Sequence, residues 1–170
     1  MEFFDDLKPF NIKIATNNDS RKVIKMLKEI AQWMKDNNIN QWRFLLEGGD
    51  DEEIKQAIAN QETYIVMNDN ELVATFTLLS KQSEWDFHIW GEDHTSNTLY
   101  LHRLAIVPSY MNKGLGKRIL AWIEENTSNK EYLRLDCVEE NKKLNSFYKN
   151  SGYELVGVTD GHSKFEKRLM

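Results

Sequence analysis

The chain lacks most of the features that mark secreted, membrane-spanning or metal-binding proteins. Cys137 is its one cysteine in 170 residues, so it cannot form an internal disulfide, and no Cys/His spacing indicates a zinc or other metal site. Two prolines and eight glycines leave no long flexible linker. No run approaches the roughly 20 apolar residues of a membrane span. These absences predict a single cytoplasmic domain over residues 1–170, with no metal and no membrane contact.

Charge and composition further restrict the class of protein. The chain has 22 Lys and Arg against 27 Asp and Glu, for a net charge of −5. An acidic protein is a poor nonspecific nucleic-acid binder, because such binding needs a basic face. A hydrophobic content of 41% predicts a globular fold. An abundance of Lys, Asn and Ile favours a bacterial source.

The apolar pattern predicts the order β-α-α-β-β-β-α-β-α-β-β. One helix ends near Asn37, a second covers Asp50–Asn60, a third begins at Gly114 and a fourth contains Leu144–Tyr148. Residues 81–96 are predicted to be irregular. The predicted strands are Ile12–Ala15, Thr63–Met67, Leu72–Leu79, Thr98–Val107, Leu133–Cys137, Tyr153–Gly157 and Phe165–Leu169. This order predicts an α/β fold, a mixed sheet with helices on its faces.

A glycine-containing turn stands between the strand at Leu104–Val107 and the helix at Gly114. A helix N-terminus presents unpaired backbone N–H groups, and glycine lets a ligand approach them closely. With Lys113 and Lys117 nearby, the turn is a candidate diphosphate site. A plain strand-to-helix turn is the alternative.

Two familiar phosphate-binding motifs do not fit this turn. A P-loop needs glycine at position 111 and Ser or Thr after Gly116-Lys117, but Met111 and Arg118 stand there. A dinucleotide fingerprint needs a third glycine where Ile119 stands. An unrelated nucleotide-binding protein is therefore disfavoured.

A second motif follows the turn. Leu104-Ala105-Ile106-Val107-Pro108 leads to Gly114-Leu115-Gly116, and Asn141, Tyr148 and Gly152-Tyr153 come later. Together they resemble the GNAT superfamily of acyl-CoA-dependent N-acetyltransferases. The family's usual Gln or Arg is Met111 here, and its usual glycine is Asn112.

The resemblance implies a mostly antiparallel sheet of about seven strands, splayed at the middle, with about four helices. It also implies acetyl-CoA or coenzyme A as the co-substrate. The positions that correspond to cofactor-binding residues are Leu104, Ala105, Ile106, Met111, Asn112, Lys113, Gly114, Leu115, Gly116, Lys117, Asn141 and Ser146.

In this family an amine attacks the thioester directly. A backbone N–H at or near Leu104 would then polarise the thioester carbonyl. Tyr148 matches the family tyrosine that acts as general acid, although a core aromatic fits the same spacing. His102 lies two residues before Leu104 and would share its strand face, which makes it the candidate base. Tyr100 stands where relatives carry Glu or His.

The acceptor is predicted to be a small cationic amine, because aromatic and acidic residues such as Trp85, Asp86 and Trp90 fill the segment before the long strand. A protein or peptide acceptor and a non-catalytic acyl-CoA sensor stay open alternatives. The oligomeric state stays open between monomer and homodimer. Cys137 alternates with Leu133 and Leu135, which predicts a buried core residue rather than a nucleophile.

Overall fold

The computed structural model describes residues 7–169, except for the side chains of residues 43 and 44. Within this range the strands are β1 (Asn11–Ile14), β2 (Thr63–Asn68), β3 (Glu71–Leu79), β4 (Thr98–Ile106), β5 (Tyr132–Val138), β6 (Glu154–Thr159) and β7 (His162–Arg168). The α-helices are α1 (Ser20–Asp36), α2 (Asp51–Ala59), α3 (Glu84–Trp90), α4 (Leu115–Asn126) and α5 (Lys142–Asn150). None of the described helices has both the length and the apolar character of a transmembrane span.

The strands form one seven-stranded sheet in the order β1-β2-β3-β4-β5-β7-β6. The pairs β1–β2, β2–β3, β5–β7 and β6–β7 are antiparallel, whereas β4 and β5 are parallel. The parallel register covers Thr98–Tyr100 against Tyr132–Arg134, at the start of both strands. The predicted mixed, mostly antiparallel sheet is confirmed, and this short central pairing is what a splayed sheet requires.

The chain divides into two compact units. The first contains the described residues up to Thr77 together with Arg103–Trp122. Its core is built from Val23, Leu27 and Ile30 of α1, whose spacing puts them on one face, and from other buried apolar side chains of α2 and the sheet. Burial of each such side chain contributes about 1.5–3 kcal/mol.

The second unit contains Leu78–His102 and the chain from Ile123 onward. In β5, Leu133, Leu135 and Cys137 are buried while the residues between them are partly exposed, which is the alternation of a half-buried strand. Phe165 of β7 is fully buried opposite Leu135. The single domain over residues 1–170 stays a prediction.

The prediction that residues 81–96 are irregular is wrong, because α3 forms inside this segment and brings the number of described α-helices to five. Ser83 caps this helix: its hydroxyl accepts from the Asp86 N–H at 3.1 Å, and the Asp86 carboxylate accepts from the Ser83 N–H at 2.9 Å. Gly91, with φ of 74°, follows the helix. Seven residues are too few for a periodic signal. The predicted start of β7 is also three residues late, since the strand begins at His162.

Candidate active site

The glycine turn has a backbone that alternates in handedness. Asn112 has φ of 60° and Gly114 has φ of 80°, while Lys113 between them does not have a positive φ. Right-handed and left-handed residues in alternation can turn successive N–H groups toward one concave face, which is the geometry of an anion-binding nest. A Cβ added to Gly114 would meet nothing within 4 Å, so its backbone conformation, not crowding, requires glycine.

The amide groups at the start of α4 are available to a ligand. The first helical hydrogen bond of this turn runs from the Arg118 N–H to the Gly114 oxygen at 3.2 Å. Across the described chain, the N–H groups of Gly114–Lys117 have no backbone acceptor. Unpaired N–H groups at the positive end of a helix dipole are suited to an anion, so the predicted diphosphate contacts at this turn stay a prediction.

The basic residues around the turn have different roles. Lys113 and Lys117 are exposed, and the Lys113 Nζ lies 5.7 Å from the centre of the Tyr110 ring. Arg118 instead donates to the Lys8 carbonyl oxygen at 2.9 Å and lies 5.7 Å from the Phe10 ring centre. The predicted positions Met111–Lys117 are thus contiguous at one turn, and Arg118 contacts the start of the described chain.

The three strand positions before the turn end β4. Ala105 is buried in the core of the first unit, whereas Leu104 and Ile106 are half-buried. The Val107 N–H donates to the Val73 oxygen at 3.0 Å, which fixes the end of the strand. The predicted contacts of Leu104, Ala105 and Ile106 with the cofactor stay predictions.

Tyr148 of α5 is surrounded by aromatic rings in the second unit. The ring centres of Phe147, Tyr153 and Phe165 lie 5.1, 6.0 and 5.7 Å from its own. Burial, followed by the charges of Cys137 and Asp136, raises the pKa of Tyr148 well above its usual value. The hydroxyl therefore stays protonated at neutral pH, as both a proton donor and a core tyrosine require.

Asn141 stands at the start of α5, and Ser146 lies in the middle of the helix. The Asn141 Oδ1 accepts from the Leu144 N–H at 3.1 Å, so this residue is the N-cap of the helix. Ser146 is exposed on the helix surface. The predicted cofactor contacts of both residues stay predictions.

His102 lies against a buried carboxylate. Its Nε2 is 3.0 Å from the Asp86 Oδ2, and the exposed fractions of the two side chains are 13% and 1%. The sequence placed Asp86 among the loop acids that would face the acceptor. In the structure Asp86 is a buried residue of α3, and its carboxylate contacts His102. The pattern Ser83-x-x-Asp86, a capping-box signature, was the signal that could have found this helix.

A left-handed residue interrupts β4 between His102 and Leu104. Arg103 has φ of 51°, and its Nη1 is 3.9 Å from the Asp50 Oδ2. Strand alternation holds only while each residue is extended. The two-residue spacing therefore does not by itself assign His102 and Leu104 to one face, and the shared face stays a prediction.

Tyr100 belongs to a polar network centred on Arg134. Its hydroxyl accepts from the Arg134 Nη1 at 3.1 Å, and only 3% of the residue is exposed. Arg134 also donates to Glu166 at 2.8 Å and to Asp93 at 3.2 Å. Burial raises the pKa of Tyr100 above its usual value. Sequence reasoning missed Arg134, whose partners are 32 to 41 residues away along the chain.

The three predicted catalytic side chains lie in the second unit without direct contact. Within residues 7–169, no hydrogen bond, ion pair or ring contact joins Tyr148, His102 or Tyr100 to another of the three. Cys137 is 1% exposed, and burial, with the Asp136 charge, raises its thiol pKa to about 12. The prediction of a buried core cysteine is confirmed.

An exposed aromatic ring of α3 adjoins an acidic side chain. Trp85 and Phe87 are 38% and 42% exposed. The Trp85 Nε1 donates to the two Asp136 carboxylate oxygens at 3.2 and 3.1 Å. The His162 Nδ1 lies 3.1 Å from the same carboxylate, at an ion-pair distance but without hydrogen-bond geometry. The exposed Trp85 ring is thus held beside a carboxylate that is itself 10% exposed.

Comparison with known proteins identifies relatives that share this fold. The acetyltransferase (GNAT) family model matches residues 27–153. The chain is 37% identical over 158 residues to the uncharacterized N-acetyltransferase YesJ of Bacillus subtilis (strain 168). The matched region covers 91% of this chain and 88% of that protein.

Solved structures extend the comparison. A GNAT-family acetyltransferase from Listeria monocytogenes 4b F2365 superposes with a TM-score of 0.82 at 25% identity, over 94% of each chain. The PaiA N-acetyltransferase from Thermoplasma acidophilum, solved in complex with coenzyme A, has a TM-score of 0.73 at 19% identity, over 94% of this chain and 98% of that one.

The family match covers most of the chain, and the B. subtilis relative is similar over nearly the full length of both proteins. The chain therefore belongs to the acetyltransferase (GNAT) family and is an acetyl-CoA-dependent acetyltransferase.

Proposed function

We propose that the protein transfers the acetyl group of acetyl-CoA to the primary amine of a small cationic molecule by direct attack. The observation that carries this proposal is the nest of backbone N–H groups at Asn112–Lys117, inside the region that matches the family. The relative from T. acidophilum, which was solved with coenzyme A, supports the same ligand. In this proposal the backbone mainly binds the co-substrate, and side chains transfer the protons.

The co-substrate is held mainly by backbone groups in this proposal. The amides of Gly114–Lys117 bind the diphosphate, and Lys113 and Lys117 add positive charge at the rim. The backbone of Leu104–Ile106 and the side chains of Asn141 and Ser146 bind the pantetheine arm. The Leu104 N–H polarises the thioester carbonyl as negative charge develops on its oxygen.

The chemical step forms one bond and breaks another. The amine nitrogen forms a bond to the acetyl carbon, and the carbon–sulfur bond breaks, so the electron pair leaves with sulfur. The Tyr148 hydroxyl, whose raised pKa keeps it protonated, donates to that sulfur. The incoming ammonium must first lose a proton, and much of the rate gain comes from holding the two reactants together.

His102 is the base that we favour over Tyr100. The Tyr100 hydroxyl already accepts from Arg134, and its raised pKa makes the phenolate scarce at neutral pH. An imidazole changes charge in the neutral range, and the His102 side chain is partly exposed. The proton passes to His102 directly or through one water.

The acceptor class follows from the surface around Trp85. The exposed rings of Trp85 and Phe87 and the carboxylates of Asp136 and Asp160 suit an ammonium group. A cationic primary amine could contact the aromatic rings and pair with the carboxylates. A protein or peptide acceptor is the second candidate.

Two measurements test the function. Isothermal titration calorimetry with acetyl-CoA should show saturable binding, and its absence would overturn the proposal. Release of free thiol should then be followed with a panel of polyamines, arylalkylamines, aminoglycosides and a lysine peptide. Turnover of a small cationic amine supports the proposal. Binding without any turnover indicates a sensor, and turnover of the peptide alone indicates a protein acceptor.

Tyr148→Phe tests the proton donor. We expect kcat to fall about 100-fold with acetyl-CoA affinity unchanged, because only the hydroxyl is lost. Tyr153→Phe is the matched control: it removes another buried hydroxyl, which lies 3.1 Å from the Glu124 carboxylate, and it should lower stability but not kcat. Equal kcat in Tyr148→Phe and the parent protein would remove Tyr148 from the acid role.

A further inference from the structure

The carboxylate of Asp86 is almost completely buried, although an unpaired charge inside a protein is costly. Its Oδ2 meets three groups: the Ser83 N–H at 2.9 Å, the Ser83 hydroxyl at 3.0 Å and the His102 Nε2 at 3.0 Å. The Ser83 N–H can only donate, so this oxygen acts as an acceptor. A helix cap explains the two Ser83 contacts but not the third.

The position of the proton on His102 follows from this geometry. An acceptor oxygen at 3.0 Å from Nε2 requires that Nε2 carry hydrogen, because two lone pairs would repel each other. In the neutral ring Nδ1 then has no proton and keeps its lone pair. Within the described chain Nδ1 has no hydrogen-bond partner, and 13% of the side chain is exposed. Nδ1 is therefore the atom that can accept a proton.

The other histidines of the chain are held differently. His88 pairs with Asp160 and His94 with Glu92, but these side chains are 56% to 74% exposed, where water weakens the interaction. His162 lies near Asp136 without hydrogen-bond geometry. Among the four histidines, His102 alone is hydrogen-bonded to a carboxylate that is 1% exposed.

We propose that Asp86 is a positioning residue that holds His102 with its proton on Nε2, so that Nδ1 can take the proton of the acceptor ammonium. This inference rests on the proposed function, in which His102 is the base. The proton moves from the ammonium nitrogen to Nδ1, and the positive charge then spreads over an imidazolium beside the Asp86 carboxylate. Asp86 only orients and stabilises the ring.

Nitrogen-15 NMR of the histidine rings tests the tautomer without any acceptor. His102→Gln assigns the resonance among the four histidines. In the parent protein we expect the neutral ring of His102 to carry its proton on Nε2. A proton on Nδ1 would overturn the proposal whether or not the protein acetylates anything, so this result is independent of the proposed function.

Asp86→Asn tests the consequence for turnover. Its amide can donate to Nε2 and favours the other tautomer, so we expect kcat to fall about 100-fold with the fastest amine of the panel. KM for acetyl-CoA should not change, because Asp86 does not contact that molecule in the proposal. Loss of activity in His102→Gln with full activity in Asp86→Asn would reject the role of Asp86 and keep that of His102.

Gly91→Ala separates positioning from a purely structural role of α3. Gly91 follows this helix with φ of 74° and has open space around it, so alanine strains the helix end without touching Asp86. We expect a lower melting temperature with the parent tautomer and the parent kcat. If Gly91→Ala lowers kcat as much as Asp86→Asn does at equal loss of melting temperature, Asp86 acts through helix stability and the proposal fails.

Discussion

The glycine turn at Met111–Lys117 and the polar network around Arg134 use polar groups in opposite ways. At the turn, the useful groups belong to the backbone, and the side chains of Asn112, Lys113 and Lys117 are exposed. In the network, the useful groups are side chains, and Arg134 is 16% exposed with three partners. The turn depends on backbone φ angles, whereas the network depends on specific side-chain atoms.

The difference explains which substitutions each region tolerates. Met111 and Asn112 depart from the family pattern, yet the turn keeps its alternating backbone, because Asn accepts a left-handed conformation more readily than most residues do. In the network, the fork of the arginine matches Glu166 through Nε and matches Asp93 and Tyr100 through Nη1. Few other side chains can make all three contacts.

Removal of Arg134 should cause a large loss of unfolding free energy, because the network depends on this one side chain. Arg134→Met leaves Asp93 and Glu166 without their cation, and we expect a loss of about 3 kcal/mol in unfolding free energy. Lys28→Met is the matched control, because the Lys28–Asp51 pair of the first unit is 3.0 Å long but 36% and 31% exposed, and we expect a loss of at most about 1 kcal/mol. Urea titration measures both. Equal losses would mean that burial does not distinguish the pairs.

Gly114→Val should act on binding rather than on the core. A β-branched residue at φ of 80° costs roughly 1–2 kcal/mol and disturbs the nest, so we expect acetyl-CoA to bind about 10-fold more weakly. Lys113→Ala keeps the backbone and should weaken binding by only about 2-fold, because an exposed ion pair contributes about 0.2–1 kcal/mol. Calorimetry measures both constants. A larger effect of Lys113→Ala would show that side-chain charge, not the backbone, holds the ligand.

Alkaline solution tests the buried titratable groups of the second unit, with no effect expected at neutral pH. Burial raises the pKa of Cys137 to about 12 and also raises those of Tyr148 and Tyr153. In the unfolded chain these groups ionise near about pH 8.5 for Cys and about pH 10 for Tyr. The folded state then binds more protons, so stability is complete below about pH 8.5 and falls as the pH rises toward 12.

Urea titrations at increasing pH check this expectation. Cys137→Ala removes one of the groups and should make the decline between pH 9 and 11 shallower, whereas Lys113→Ala at the exposed turn should not. A decline that is equally steep in Cys137→Ala and the parent protein would assign the alkaline loss of stability to other groups.

Local patterns in the sequence predicted the parts of the fold that depend on them. The strands Thr63–Met67 and Leu72–Leu79 were predicted on either side of a short polar turn, and β2 and β3 match them, with Asp69 of that turn at φ of 52°. The start of α4 next to Gly114 was predicted for the same reason. The start of β7 was missed because His162, Ser163 and Lys164 carry no apolar alternation, and pairing with β5 makes them a strand.

The candidate site likewise contains a part that is local in sequence and a part that depends on long-range contacts. Met111–Lys117 are contiguous in sequence, so a motif can represent them. The contact of His102 with Asp86 crosses 16 residues, and that of Arg134 with Asp93 crosses 41. Such contacts depend on tertiary packing, which no local spacing encodes. A capping-box search at Ser83 would have found α3, but not the direction in which Asp86 points.

The left-handed Arg103 has a consequence for the assignment of side-chain faces along β4. A strand with one left-handed residue has two phases of alternation, one before that residue and one after it. Residues at equal sequence spacing on either side of Arg103 are therefore not equivalent in orientation. The face of each β4 residue should therefore be assigned separately for Thr98–His102 and for Leu104–Ile106, and not by counting in twos across Arg103.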